Sequence, residues 1–386
     1  MPWSELHSDV LVLILKRLSY TDFARAKTVC SGWKTASRFC SPKKNQTPWL
    51  ILHDHESNEG RFLKLYNPQE EKFYRTEYLG DFAKDRVLAT SGDWLLMLDE
   101  EADFYVLNPF TREIIDLPSL DSNATAKFKR TGNYTFDISY LRYGEWFEGG
   151  FRVGVGSAVL WVDEVTREYF VSWTFDEHTM GGDYIAYCKT GDEQWREIPR
   201  RGGCLDMAFM DNKLYMCTFK GRIRILGFDD SGLARDIINH PYTLPFEPVC
   251  RDISRNPRSC PFVVNSMAHV KVGIRLSVSG DVLIILRVRS GERNLFVMYK
   301  MVGNEWEQVY SLEEEEALVW DLNVTLPTKG VTGIKKDSIY FCHAFKYRRE
   351  VAAFVMSTQS LQPFEQPELL LGDARWFLPS FCTAEQ

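Results

Sequence analysis

The sequence predicts an α+β chain in two parts. A small three-helix unit occupies residues 1–42, and a mainly-β, propeller-like domain of six to seven imperfect blades occupies residues 43–386. Three observations predict this. Apolar residues in the first forty positions recur with helical spacing, and those after Trp49 fall in short runs parted by turn residues. Through the second part, a pair of apolar anchors ten residues apart returns again and again.

Val10, Leu11, Ile14, Leu15 and Leu18 form a broad apolar stripe at a period of 3.6, so a first helix is expected to run to Leu18. Ser8 or Asp9 is suited to cap its start, because a short side-chain oxygen there accepts from the free first-turn amides. Lys16 and Arg17 suit its last turn, where positive charge complements the dipole. Thr21 or Asp22 opens a second helix with Phe23, Ala26 and Val29 inside. Gly32 interrupts it, and Trp33, Ala36 and Phe39 suggest a third. A unit of about 40 residues has too little core to be secure alone, so its apolar surplus must pack on something else.

Pro42 to Gln46 reads as a polar hinge, after which the pattern changes. The anchor pairs are Leu63 with Phe73, Phe104 with Ile114, Ile185 with Trp195, Ile223 with Leu233, Phe296 with Trp306, and Val351 with Leu361. Turn residues lie between them, as at Asn67-Pro68, Asn108-Pro109, Gly191-Asp192 and Gly303-Asn304. A further strand precedes most pairs: Trp49 to Leu52, Trp94 to Leu98, Lys213 to Cys217, Val282 to Leu286, and Ser338 to Phe341. Short strands at regular spacing suggest closed or repeating β architecture. Successive anchors stand 41, 81, 38, 73 and 55 residues apart, and intervals of about 40 fit propeller blades. The 81 and 73 intervals each leave room for a degenerate blade or an insertion. A pair of β-sandwiches is the competing arrangement.

Aromatic residues make up 14% of the chain, which favours β structure, where flat rings pack across strands. The net charge of −7 argues against general nucleic-acid binding, which needs a basic footprint. No apolar run is long enough to span a bilayer, so no membrane partner is expected. The nine cysteines are scattered, with no two within four positions, so neither a zinc pair nor a disulfide framework is expected. Free thiols in the nucleus or cytoplasm are the expectation.

Taken together, Leu6, Val10-Leu11, Ile14, Leu18, Asp22, Val29-Cys30 and Trp33 resemble an F-box. The resemblance implies docking on a Skp adaptor, which joins a substrate receptor to a cullin ubiquitin ligase. Leu6, His7, Val10, Leu11, Ile14, Leu18, Val29, Cys30 and Trp33 are then expected to divide between the F-box core and the adaptor surface. His7 departs from the family, which usually carries proline after the first leucine. Ser91-Gly92-Asp93-Trp94-Leu95, Leu107-Asn108-Pro109-Phe110-Thr111, Asp211-Asn212-Lys213-Leu214-Tyr215 and Asp337-Ser338-Ile339-Tyr340-Phe341 are similar to a large plant family. Its members join an F-box to a kelch-like C-terminal domain.

Candidate chemistry is sparse. His53 and His55 would share one face of a strand, yet no third ligand can be paired with them from sequence. Gly154-Val155-Gly156 lacks the third glycine of a dinucleotide loop. Glu313 to Glu316 reads as a solvated face or an acidic recognition edge, and Arg200-Arg201 and residues 251–258 could contact an acidic partner. No catalytic residue, metal or cofactor is expected. The expected function is recruitment of an unidentified protein substrate to the ligase. A non-ligase regulator with a degenerate F-box, for example of a kinase, and a propeller enzyme or ligand sensor are the rivals; a central pocket with perturbed titratable groups would favour the last.

Overall fold

The computed structural model describes residues 6–18, 20–40, 47–52, 62–243 and 268–379, less short loops, the longest being 176–183 and 364–373. Short helices occupy Ser8–Leu15 (α1), Tyr20–Ala26 (α2) and Ser31–Ala36 (α3), and a single 3-10 turn follows at Ser37–Phe39. Leu11, Leu15, Phe23, Ala26, Trp33 and Ala36 form a small core of their own. The α1 helix stops at Leu15, short of the expected Leu18, so Lys16 caps it and no basic residue lies in its last turn. Its N-cap is His7, one position before the expected Ser8 or Asp9.

The remainder is a six-bladed β-propeller, each blade built on four strands in radial order. Blade 1 takes Ala374–Phe377 as its innermost strand, followed outward by Trp49–Leu52, Lys64–Asn67 and Lys72–Arg75. The two chain ends therefore share a sheet, with Trp49 opposite Phe377 and Leu52 opposite Ala374. Blade 2 is Arg86–Ser91, Trp94–Leu98, Phe104–Leu107 and Ile114–Asp116; blade 3 is Val155–Val162, Tyr169–Phe175, Ile185–Lys189 and Arg196–Glu197. Blade 4 is Asp206–Met210, Lys213–Cys217, Arg222–Phe228 and Ala234–Asp236; blade 5 is Ala268–Leu276, Val282–Ser290, Arg293–Val302 and Glu305–Val309. Blade 6 is Glu316–Val319, Ser338–Phe345, Arg348–Val355 and Ser360–Pro363.

Every anchor pair falls on or beside the third and fourth strands of one blade, and the five further runs are second strands. Leu95, Leu214, Leu283 and Ile339 on those second strands are buried, as the repeat requires. The turns obey their residues. Asp211 and Asn212 both take positive φ between Met210 and Lys213, the conformation of a two-residue hairpin loop. The Asn108 side chain accepts from the amides of Phe110 and Thr111 at 3.0 and 3.1 Å, which fixes the bend after the third strand.

The long intervals have separate causes. The 81-residue one holds an inserted three-stranded sheet, Ala126–Gly132, Thr135–Arg142 and Glu145–Val153, rather than a degenerate blade. Phe128 and Phe136 from this insertion pack with Trp173, Phe175 and Tyr184 over the seam of blades 2 and 3. The 73-residue interval includes residues 244–267, which lie outside the described residues. In blade 6 the first strand runs parallel to the second, Leu318 opposite Ile339, and the chain between them pairs back at Leu326–Pro327. That detour lengthens the last interval. Apolar clusters fill each seam between neighbouring blades, including the closing seam where Trp376 meets Tyr340 and Val319.

Candidate functional site

Two places concentrate functional potential: the outer face of the helical unit and the axis of the propeller. On the helical unit, six consecutive apolar residues from Val10 to Leu15 cannot all face one side of a helix. The structure divides them. Leu11 and Trp33 lie in the core, and Leu6, Ile14, Leu18 and Cys30 pack partly buried against it. His7, Val10 and Val29 are exposed, Val10 by 44% and Val29 by 59%. Leu13 at 60% and Phe39 at 72% are more open still. Val29 was expected inside the second helix but lies beyond its end at Ala26, which turns its side chain outward. Leu13 fell outside the expected apolar stripe, although the unbroken apolar run already contained the signal for it.

His7 carries φ −60° and ψ 142°, and its Nδ1 accepts from the Asp9 amide at 3.4 Å. The φ is the value a proline ring imposes. The backbone therefore keeps the shape proline would give, while the imidazole adds a side-chain cap. The helical unit approaches blade 1 where the Arg25 guanidinium lies 6.0 Å from the Tyr74 ring.

Along the propeller axis, the innermost strands enclose a cavity of about 440 Å3. Blade 4 supplies Asp206, blade 5 Lys271 and Arg275, blade 1 Arg375, and the turn after the first strand of blade 6 supplies Trp320 and Asp321. Lys271, Gly273 and Arg275 alternate along one strand and so share a face. Asp206 accepts from Ser157 Oγ at 2.8 Å, from the Ile274 amide at 3.1 Å and from Arg275 Nη1 at 2.5 Å. Arg275 also donates through Nε to the Trp320 carbonyl at 3.1 Å. Asp321 accepts from the Trp376 amide at 3.1 Å and from Arg375 Nη1 at 3.4 Å. Solvent reaches Lys271 through the cavity, yet surrounding protein holds its ammonium below the ordinary range; Asp206 opposes that shift and Arg375 adds to it.

The other sequence candidates are structural or lie elsewhere. Gly156 belongs to the innermost strand of blade 3 and lines the cavity, not a nucleotide loop. Glu316 opens the first strand of blade 6 and accepts from Thr325 Oγ1 at 2.7 Å. His53, His55, Arg200, Arg201 and residues 251–258 lie outside the described residues. Among the described residues, no cluster of histidine, cysteine and carboxylate groups is arranged to hold a metal, and no helix is long and apolar enough to cross a membrane. None of the six described cysteines is in a disulfide, and burial pushes the Cys188, Cys204 and Cys217 thiols well up.

Comparison with known proteins places both halves. The F-box domain family model matches residues 3–45, and the KIB1-4 β-propeller model matches residues 65–360. The F-box protein At1g10110 of Arabidopsis thaliana is 44% identical over 416 residues, covering 99% of this chain and 98% of its own. The F-box protein KIB4 of Arabidopsis thaliana is 33% identical over 407 residues, covering 97% of this chain and 94% of its own. The matching propeller model is the KIB1-4 one, so the expected kelch likeness is not confirmed. With an F-box match at the helices and a propeller match across most of the blades, the chain belongs to the family that joins an F-box domain to a KIB1-4 β-propeller.

Proposed function

We propose that the protein is the substrate-recognition subunit of a Skp-cullin-F-box ubiquitin ligase. Its helical unit docks on the Skp adaptor, and its propeller holds a protein target. The observation that carries this reading is the apolar surface left open on a bundle whose core is already filled: Val10, Leu13 and Val29 project outward from it. Burying one such side chain fully contributes roughly 1.5–3 kcal/mol. Association costs several kcal/mol in lost freedom, so a few of them acting together are needed to hold a partner. Family membership supports the same partner.

In this reading the chain makes and breaks no bonds. It raises the effective concentration of a target near the ubiquitin-carrying enzyme, which requires a recruiting surface and a binding surface only. The propeller suits the second task because its loops emerge from a rigid frame. The nucleus and cytoplasm, where the ligase machinery works, are the proposed compartments.

The test is co-purification. The full chain, expressed with a Skp adaptor and a cullin, should recover both in stoichiometric amounts. Recovery of the propeller protein alone, at concentrations where a control F-box protein binds, would reject the ligase role.

A further inference from the structure

We propose that the axial cavity of the propeller is a receptor site for a small oxyanion, a carboxylate or phosphate ester, bound by Lys271 with Arg375 beside it. The argument rests on which charges in the cavity are already engaged. Both carboxylates are committed. Asp206 takes a hydroxyl from blade 3 and an amide and a guanidinium from blade 5. Asp321 takes an amide and a guanidinium from blade 1. Neither is left to receive a cation.

The cationic side is not matched in the same way. Arg275 is buried and fully used by Asp206 and by the carbonyls of Ile274 and Trp320. Arg375 meets Asp321 through Nη1, and its fork carries further donors. Lys271 makes no ion pair among the described residues; its Nζ lies 5.9 Å from the Trp320 ring. Three cationic side chains thus face two carboxylates around one cavity. The shortfall is one negative charge, and it lies at the group solvent can reach.

The cavity is also shaped to receive a ligand. Its volume of about 440 Å3 lies within the range of small-molecule sites. Gly273, between Lys271 and Arg275 on the same face, lets the Trp320 indole lie close; a Cβ there would come within 3.1 Å of the ring. The indole thereby makes a flat wall next to the ammonium. Thr90, Ser157 and Asn323 add polar groups on the other sides. A bound oxyanion would touch inner elements of blades 1, 5 and 6 together, and so would bear on the same joints that close the ring. The site is separate from the helical face that docks the adaptor, and the inference stands whether or not that docking occurs.

The experiment uses the full chain, with inorganic phosphate and citrate as probes at ionic strength held constant with sodium chloride. A ligand that binds the folded state alone raises the unfolding temperature as its concentration rises. Saturable binding of at least one probe by calorimetry, with a matching rise in Tm, is expected. Lys271→Met should weaken it at least tenfold, about 1.4 kcal/mol, whereas Lys271→Arg should retain it. Binding of phosphate alone identifies a phosphate ester as the ligand class, and binding of citrate alone a carboxylate. Equal affinity in Lys271→Met, or no saturable binding of either probe up to about 10 mM, overturns the proposal. If Lys271→Met does not fold, amine-reactive labelling of the wild-type chain decides. The bound probe should protect Lys271, and unchanged labelling of Lys271 at saturation overturns the proposal.

Discussion

Asp206 shows how much one side chain carries here. Its carboxylate joins blades 3, 4 and 5, and its partner Arg275 reaches on to the turn of blade 6. Removing the carboxylate leaves a buried guanidinium without its counter-charge, which typically costs roughly 3–5 kcal/mol. Asp206→Ala should therefore lose about that much in urea unfolding, while an exposed control such as Glu193→Ala changes stability little. The buried thiols set a second residue-scale expectation. Cys188, Cys204 and Cys217 are held protonated in the fold by burial. An unfolded thiol ionises near pH 8.5, so their contribution to stability is complete below that value. It is lost progressively as pH climbs from there towards the raised folded values. With reductant present, the urea midpoint should fall between pH 8 and about 9.5, and replacing all three with alanine should flatten that fall.

Among the elements, those legible in the sequence were the ones that obey a simple period. Second strands such as Trp94–Leu98 are uniformly apolar because neighbouring strands and seams cover them on both faces. The third and fourth strands announced themselves through anchors such as Phe104 with Ile114, separated by the bend at Asn108. The innermost strands were not legible. Asp206, Lys271, Gly156 and Ser157 face the axial cavity, and these polar and small residues interrupt the alternation that marks a strand. The part of the sequence that hid its structure is thus the part that lines the cavity. The inserted sheet at 126–153 shows in the sequence only as an over-long interval, since its packing partners Trp173 and Tyr184 come from blade 3. In α1 the apolar stripe was visible, but not which side of it would stay open; that depended on where Phe23 and Trp33 pack. Position 7 gives the prediction at this scale. Its φ of −60° already suits proline. His7→Pro should bind the Skp adaptor as tightly as the wild type or more tightly, measured as Kd; a weakening of tenfold, about 1.4 kcal/mol, would show that the imidazole cap outweighs the proline shape.

For the whole molecule, the ring is closed by one strand from the far end of the chain. Ala374–Phe377 completes blade 1, and Trp376 and Phe377 are buried in the two seams beside it. Ending the chain after Pro363 would leave Trp49–Leu52 as an open edge and expose both seams. The shortened protein should lose its cooperative thermal transition and aggregate, whereas a chain ending at residue 379 should unfold as the full one does. The closed ring serves the proposed recruiting role by giving the open helical face of Val10, Leu13 and Val29 a rigid platform. The most direct test of that role is the affinity of the full chain for a purified Skp adaptor, measured by calorimetry for the wild type and for Leu13→Asp combined with Val29→Asp. The account predicts clear binding by the wild type and a loss of at least a hundredfold, about 2.7 kcal/mol, in the double variant, with the same unfolding temperature in both. Undiminished binding by the double variant, or no binding by the wild type, would contradict it.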